Sequence, residues 1–162
     1  MSLNSQMSIL RVFWTSRNTK IETMSITNGK DKGIAVGIIK NPGGKVLIIE
    51  RVRKETGTDG SKLTWVFPGG KLDGDENFEQ AVVREVMMET GYNVKVIELI
   101  SERTHPQFDV PIKYYACELV EFRTRPIQEV HEVATLKWVA PQDLKDYFTT
   151  DIEPKVAKYL GL

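Results

Sequence analysis

Phe67-Pro68-Gly69-Gly70-Lys71-Leu72-Asp73-Gly74-Asp75-Glu76-Asn77-Phe78-Glu79-Gln80-Ala81-Val82-Val83-Arg84-Glu85-Val86-Met87-Met88-Glu89-Thr90-Gly91-Tyr92 is the stretch that decides how this chain is read. Gly69-Gly70 after Pro68 marks a tight turn in which the backbone can approach a ligand that a side chain would keep away. Asp73-Gly74-Asp75 reads as a second turn. It makes Asp75 the expected N-cap of a helix and places Glu76 near the positive end of that helix. Between Asn77 and Thr90 there is neither Gly nor Pro, and Phe78, Val82 and Val86 recur every four residues along one face. An amphipathic helix of moderate length is expected there, stopped at Gly91.

Glu85 and Glu89 stand four residues apart, so on a helix their carboxylates lie side by side near its C-terminal end. Like charges at this spacing repel by roughly 0.2–0.5 kcal/mol, and the helix dipole disfavours anions at that end. Most acidic helix faces are simply solvated. Set between glycine turns, these two carboxylates point instead to a divalent cation, because hard ions such as Mg2+ take oxygen ligands from a few carboxylates and from substrate phosphates. Other ligand motifs fail on inspection. Asp73, Asp75 and Asn77 imitate the start of a calcium loop, but Phe78 and Arg84 occupy the positions that require Gly and Glu. Gly70-Lys71 is followed by Leu72 and lacks the upstream Gly of a phosphate loop. One Cys and two His argue against a zinc site.

The spacing Gly70-x5-Glu76-x7-Arg84-Glu85-Val86-x-Met88-Glu89-x-Gly91-Tyr92 resembles the Nudix box, and the run from Phe67 to Gly91 is similar to the mutator-protein branch of Nudix hydrolases. That resemblance implies a Nudix-type α/β/α sandwich with a mixed β-sheet and the Nudix loop-helix-loop. It places the Nudix domain at residues 32–162, behind an N-terminal extension at residues 1–31. It also implies Mg2+, or alternatively Mn2+, acting on a small-molecule nucleotide: a nucleoside diphosphate linked to a further group. The first expectation is a canonical or oxidised nucleoside triphosphate, cleaved to a nucleoside monophosphate and pyrophosphate.

Carried over residue by residue, the resemblance makes Glu85 and Glu89 metal ligands, with the Gly69 carbonyl as a third. Glu85 would also help to deprotonate water, while Arg84 and Glu76 would hold the carboxylates in place. Gly70 and Lys71 would face the substrate. The run from His131 to Val139 resembles the late loop and strand of the family, where an acidic residue ahead of the Trp can join the metal. Glu132 is the first candidate for that role and Glu129 the second. Met88 departs from the pattern, standing where the family has the first Glu of a Glu-Glu pair. A thioether does not replace an oxygen ligand of Mg2+, so one ligand, or one of several ions, is lost. Two alternatives follow. One is a degenerate Nudix module that binds a nucleotide or a partner protein without turnover. The other is an ADP-ribose or nucleotide-sugar pyrophosphatase, suggested by Pro106 in the loop beyond Gly91.

Elsewhere the chain reads as one globular domain, with 162 residues, 41% of them hydrophobic and 27% charged. Lys+Arg and Asp+Glu both number 22, so no global charge draws it to a nucleic acid polymer or an anionic membrane. A single Cys117 forms no internal disulfide, and there is no long apolar run or signal-peptide pattern; a cytoplasmic protein, monomer or homodimer, is expected. Residues 9–14 and 20–27 are candidate short strands. Gly33 to Lys40 and Lys45 to Val52 are expected to pair around the Asn41-Pro42-Gly43-Gly44 turn, with Ile34, Val36 and Ile38 on one face. Leu47, Ile48 and Ile49 suggest burial on both sides. Arg51, Arg53 and Lys54 follow, and a solvated strand end or phosphate binding are equal readings for them. Trp65 and Phe67 occupy a short strand; their alternation allows one to face the core and the other the site, with core packing the favoured reading for either one. Two further strands are expected at Val94 to Ser101 and Val110 to Glu121. After Pro141 a short helix opens, and a closing helix from Glu153 to Leu160 ends at Gly161.

Overall fold

A computed structural model describes residues 33–56, 60–106, 108–122 and 124–162. The expected extension at 1–31, with its two candidate strands, lies outside the described residues. Among the described residues, seven strands and two α-helices follow in the order β1 (Ile34–Ile39), β2 (Val46–Thr56), β3 (Lys62–Val66), β4 (Gly69–Lys71), α1 (Phe78–Thr90), β5 (Val94–Thr104), β6 (Pro111–Leu119), β7 (Val133–Val139) and α2 (Pro154–Leu160). A short 3-10 helix, Pro141–Asp146, precedes α2.

The strands form a four-stranded sheet in the order β4-β1-β6-β5 and a three-stranded sheet in the order β3-β2-β7. The first is mixed: β1 runs parallel to β6 and antiparallel to β4. The expected pairing of β1 with β2 is reduced to one bridge, Lys40 with Val46, next to the turn closed by the Gly44 amide on the Asn41 carbonyl. Beyond it the strands part, because β1 finds its partners in β4 and β6 while β2 finds them in β3 and β7.

Neighbouring residues on the strands go to opposite cores. Ala35, Ile39, Leu47, Tyr115 and Cys117 pack with Ala81, Val82 and Val86 of α1. Ile38, Val46, Ile48, Ile112, Tyr114 and Val139 pack with Leu144, Val156 and Leu160 on the other side. The sheets therefore form the middle layer of an α/β/α sandwich, which explains why Leu47, Ile48 and Ile49 are all fully buried. Trp65 and Phe67, two residues apart, share a face, so the favoured core reading holds for both and neither is turned to the site. Both join the second core, edge-on to Tyr147 and Phe148.

The start of α1 differs from expectation as well. Asn77, not Asp75, is the N-cap, and it forms a capping box with Gln80: Asn77 Oδ1 accepts from the Gln80 amide at 2.8 Å, and Gln80 Oε1 accepts from the Asn77 amide at 3.0 Å. Asp75 stays exposed in the preceding turn. Such a box stabilises a helix start by about 1 kcal/mol.

Candidate active site

Strand β4 and helix α1 bring the box residues together from two directions. β4 is held against β1 with Gly69 opposite Val36 and Gly70 opposite Ala35. A Cβ on Gly69 would overlap the Ala35 carbonyl oxygen, so only glycine permits this approach. The approach aims the Gly69 amide at the end of α1, where it donates to Glu89 Oε2 at 2.8 Å.

Arg84 organises the first half of the site. Its Nε donates to Glu76 Oε1 at 2.5 Å and its Nη2 to Glu76 Oε2 at 3.0 Å, a two-point pairing. Nη2 also donates to the Lys71 carbonyl at 2.9 Å, and Nη1 donates to Glu85 Oε1 at 2.6 Å. The Asp73 amide donates to Glu76 Oε2 at 3.0 Å. One guanidinium thereby ties β4, the loop before α1 and the middle of α1. Burial works to raise the Glu76 carboxyl, but Arg84 and the Asp73 amide outweigh it and hold Glu76 below the ordinary carboxylate range.

The second half lies at the C-terminal end of α1, which has no basic residue in its last turn. Glu85 is 2% exposed and Glu89 0%. Gly91 caps the helix in the left-handed conformation, φ 74°, its amide on the Met87 carbonyl. The following chain then folds back over this end. The Arg125 amide donates to the Gly91 carbonyl at 2.7 Å, and the Gln128 and Glu129 amides donate to the Met88 carbonyl at 3.0 and 3.2 Å. A Cβ on Gly91 would overlap the Arg125 carbonyl oxygen, so this docking requires glycine at 91 a second time. Its product is Glu129, 5% exposed, delivered to the helix carboxylates: Glu85, Glu89 and Glu129 each offer one oxygen, all within 4.8 Å of one another.

These carboxylates are poorly matched to an apolar interior. Burial pushes Glu89 well above the ordinary range, and the Glu85 and Glu129 charges add to it against the Gly69 amide and Arg51. Burial also raises Glu85, which Arg84 opposes. Glu85 Oε2 and Glu89 Oε1 are buried with no hydrogen-bond partner among the described residues. Unmatched carboxylate oxygens in a dry site are the donor set a hard divalent ion requires, so the residues fit Mg2+ or Mn2+.

The remaining sequence candidates are placed as follows. Glu132 is half-buried and lies outside the cluster of three; burial, then the Glu85 charge, push its carboxyl to about 7, against Arg51 and Arg53. Its carbonyl accepts the Val52 amide at 2.8 Å, which fixes the loop beside β2. Glu129, the second candidate, is the one brought to Glu85 and Glu89. Gly70 is buried in β4, Lys71 is half-buried at its end, and Arg51 lies in β2. Among the described residues, the site element absent from the sequence reading is the fold-back of residues 125–129 onto the helix end, for which the primary structure carries no periodic signal.

Residues 31–160 match the family model for the NUDIX domain, and the chain belongs to that family. It is 30% identical over 104 residues to CTP pyrophosphohydrolase of Escherichia coli (strain K12), a match covering 64% of this chain and 73% of the relative. It is 38% identical over 72 residues to 8-oxo-dGTP diphosphatase of Proteus vulgaris, covering 44% and 61%. The same fold occurs in a NUDIX hydrolase from Nitrosomonas europaea, with TM-score 0.63 and 18% identity over 82% of this chain and 90% of that one. The matches to relatives from Caenorhabditis elegans and Bacillus subtilis span 28% and 50% of those proteins' lengths. Among the described residues no helix is long and apolar enough to cross a membrane.

Proposed function

We propose that the chain is a metal-dependent pyrophosphohydrolase of nucleoside diphosphates linked to a further group, with a nucleoside triphosphate, canonical or oxidised, as the first-choice substrate. The observation that carries this reading is the convergence of Glu85, Glu89 and Glu129 in a buried cluster with two carboxylate oxygens left over. The names of the Escherichia coli and Proteus vulgaris relatives favour a triphosphate over ADP-ribose.

When bound, Mg2+ or Mn2+ supplies Lewis acidity toward a phosphoryl oxygen, neutralises diphosphate charge and acidifies water. Glu85, Glu89 and Glu129 would hold it, with the Gly69 carbonyl and Glu132 as further candidates. Arg84 keeps Glu85 oriented through its Nη1 and is itself fixed by Glu76, so both act as positioning residues. Glu85 is assigned to accept the proton of the attacking water. Gly70, Lys71 and Arg51 are assigned to the substrate phosphates, Arg51 because its charge acts on both Glu89 and Glu132.

A release assay with Mg2+ on dGTP, oxidised dGTP, CTP, ADP-ribose and diadenosine polyphosphates tests this. Pyrophosphate release from a triphosphate is expected. Binding without any phosphate or pyrophosphate release would mark a non-catalytic module instead. Glu85→Gln is expected to lose about 10²–10⁴-fold in kcat on the best substrate; full retained activity would overturn the role given to Glu85.

A further inference from the structure

We infer that Met88 is a modification site: a peroxide oxidises its thioether to a sulfoxide, whose oxygen binds Arg84 and turns down hydrolysis. Its effect on rate rests on the pyrophosphohydrolase reading. The reason lies in how Arg84 spends its donors. A guanidinium has five N–H groups and no acceptor. Four of them reach oxygens: two on Glu76, one on the Lys71 carbonyl and one on Glu85. The fifth, on Nη1, reaches Met88 Sδ at 3.8 Å. A thioether is a weak acceptor. At the centre of the network that orients Glu85, one charged donor is thus left with a poor partner.

Oxidation turns that partner into a strong one. The sulfur lone pair attacks one oxygen of a hydroperoxide, and an S–O bond forms as the O–O bond breaks. The proton of the transferred oxygen passes to the departing oxygen, which leaves as water or an alcohol. Sulfur loses two electrons and the peroxide gains them. The 3.8 Å separation accommodates the new oxygen, angled toward Nη1 at an ordinary hydrogen-bond length of about 2.9 Å. Met88 is half-buried rather than enclosed, which leaves its sulfur within reach of a small peroxide. A sulfoxide ordinarily disrupts apolar packing. This one is met by a charged donor. Its oxygen then shares Nη1 with Glu85 Oε1, which that nitrogen holds at 2.6 Å. Two acceptors on one nitrogen divide its attraction and repel each other, so the hold on Glu85 slackens. Reduction back to the thioether restores it.

The test treats the full chain with dilute hydrogen peroxide, maps added oxygen by peptide mass spectrometry, and compares each chain with its own untreated rate and melting temperature. Met87, also half-buried on α1, supplies the control. The natural chain and Met87→Leu are expected to gain one oxygen at Met88 and to lose roughly 10-fold in kcat, the low end of what a weakened outer contact costs. Methionine sulfoxide reductases should restore the rate, and Met88→Leu should keep its own rate through the treatment. The melting temperature of oxidised Met87→Leu should not fall, because the sulfoxide oxygen has a donor. An equal loss of rate in Met88→Leu overturns the inference. So does a Met88 that stays a thioether while Met87 is oxidised, or a lowered melting temperature of oxidised Met87→Leu. A natural chain that hydrolyses nothing before treatment defeats the pyrophosphohydrolase reading instead, and the oxygen map and the melt then decide the Met88–Arg84 contact by themselves.

Discussion

Glu76 and Glu89 belong to one motif and end in opposite chemical conditions. Glu76 is partly exposed, and both of its oxygens are committed, to the Arg84 guanidinium and the Asp73 amide. Glu89 is fully buried, with one oxygen on the Gly69 amide and the other unmatched. The first carboxyl is held below the ordinary range and the second is pushed well above it. A carboxylate whose hydrogen bonds are complete serves the architecture. One left incomplete in a dry site costs folding free energy, and that cost is recovered only when a cation arrives.

The comparison is sharpest in a pair of isosteric changes. Glu89→Gln is expected to lower kcat/KM about 10²–10⁴-fold while leaving the metal-free melting temperature unchanged or higher, since a neutral amide relieves repulsion among three carboxylates. Glu76→Gln is expected to reverse the pattern, with a stability loss of about 1–3 kcal/mol and a smaller activity loss of about 10–100-fold. Thermal melts in a chelator, set beside steady-state rates, read both. Equal destabilisation by the two changes would break the distinction.

A smaller effect separates cap from docking site. Gly91 and Gly161 both cap helices in the left-handed conformation, but a Cβ on Gly161 meets nothing within 4 Å, whereas one on Gly91 overlaps Arg125. Gly161→Ala should cost only the conformational penalty, about 1–2 kcal/mol. Gly91→Ala should cost more and weaken Mn2+ binding about 10-fold, because it lifts the segment bearing Glu129 off the helix end. Equal melting temperatures and unchanged Mn2+ affinity in the two variants would show that the docking is dispensable.

The smallest effect is in pH. Glu132 is raised from 4.5 to about 7, and Glu85 and Glu89 are raised as well. A folded-state pKa above the unfolded one gives stability that is complete below about pH 4.5 and lost as pH climbs through the folded value. The metal-free protein should therefore melt at lower temperature as pH rises from about 4.5 to 7, and saturating Mg2+ should flatten or reverse that slope. A metal-free melting temperature that rises across this window would contradict the burial of these carboxylates.

Much of this was legible in the primary structure. The stripe Phe78, Val82, Val86 and the alternation in β1 announced a helix and a strand, because local periodicity alone decides which face is apolar. Boundaries were less legible: Asp75 and Asn77 are both good caps, and Gln80, three residues after Asn77, settled the choice through the reciprocal bond. The parting of β1 and β2 was not legible either, since a turn fixes the bridge beside it but not the partners that each strand takes further along.

By itself, then, the sequence determined the spacing that sets Glu76, Arg84, Glu85 and Glu89 on one loop and helix, and the glycines that end it at Gly91. Only the tertiary structure decided which carboxylate completes the cluster. Glu129 and Glu132 are three residues apart in the chain and equivalent in composition. Hydrogen bonds from the Gln128 and Glu129 amides to the Met88 carbonyl, across some forty positions of sequence, put Glu129 beside Glu89 and leave Glu132 outside the cluster. That choice rests on exposed carbonyls at a helix end finding donors from a distant segment, and no local pattern encodes it.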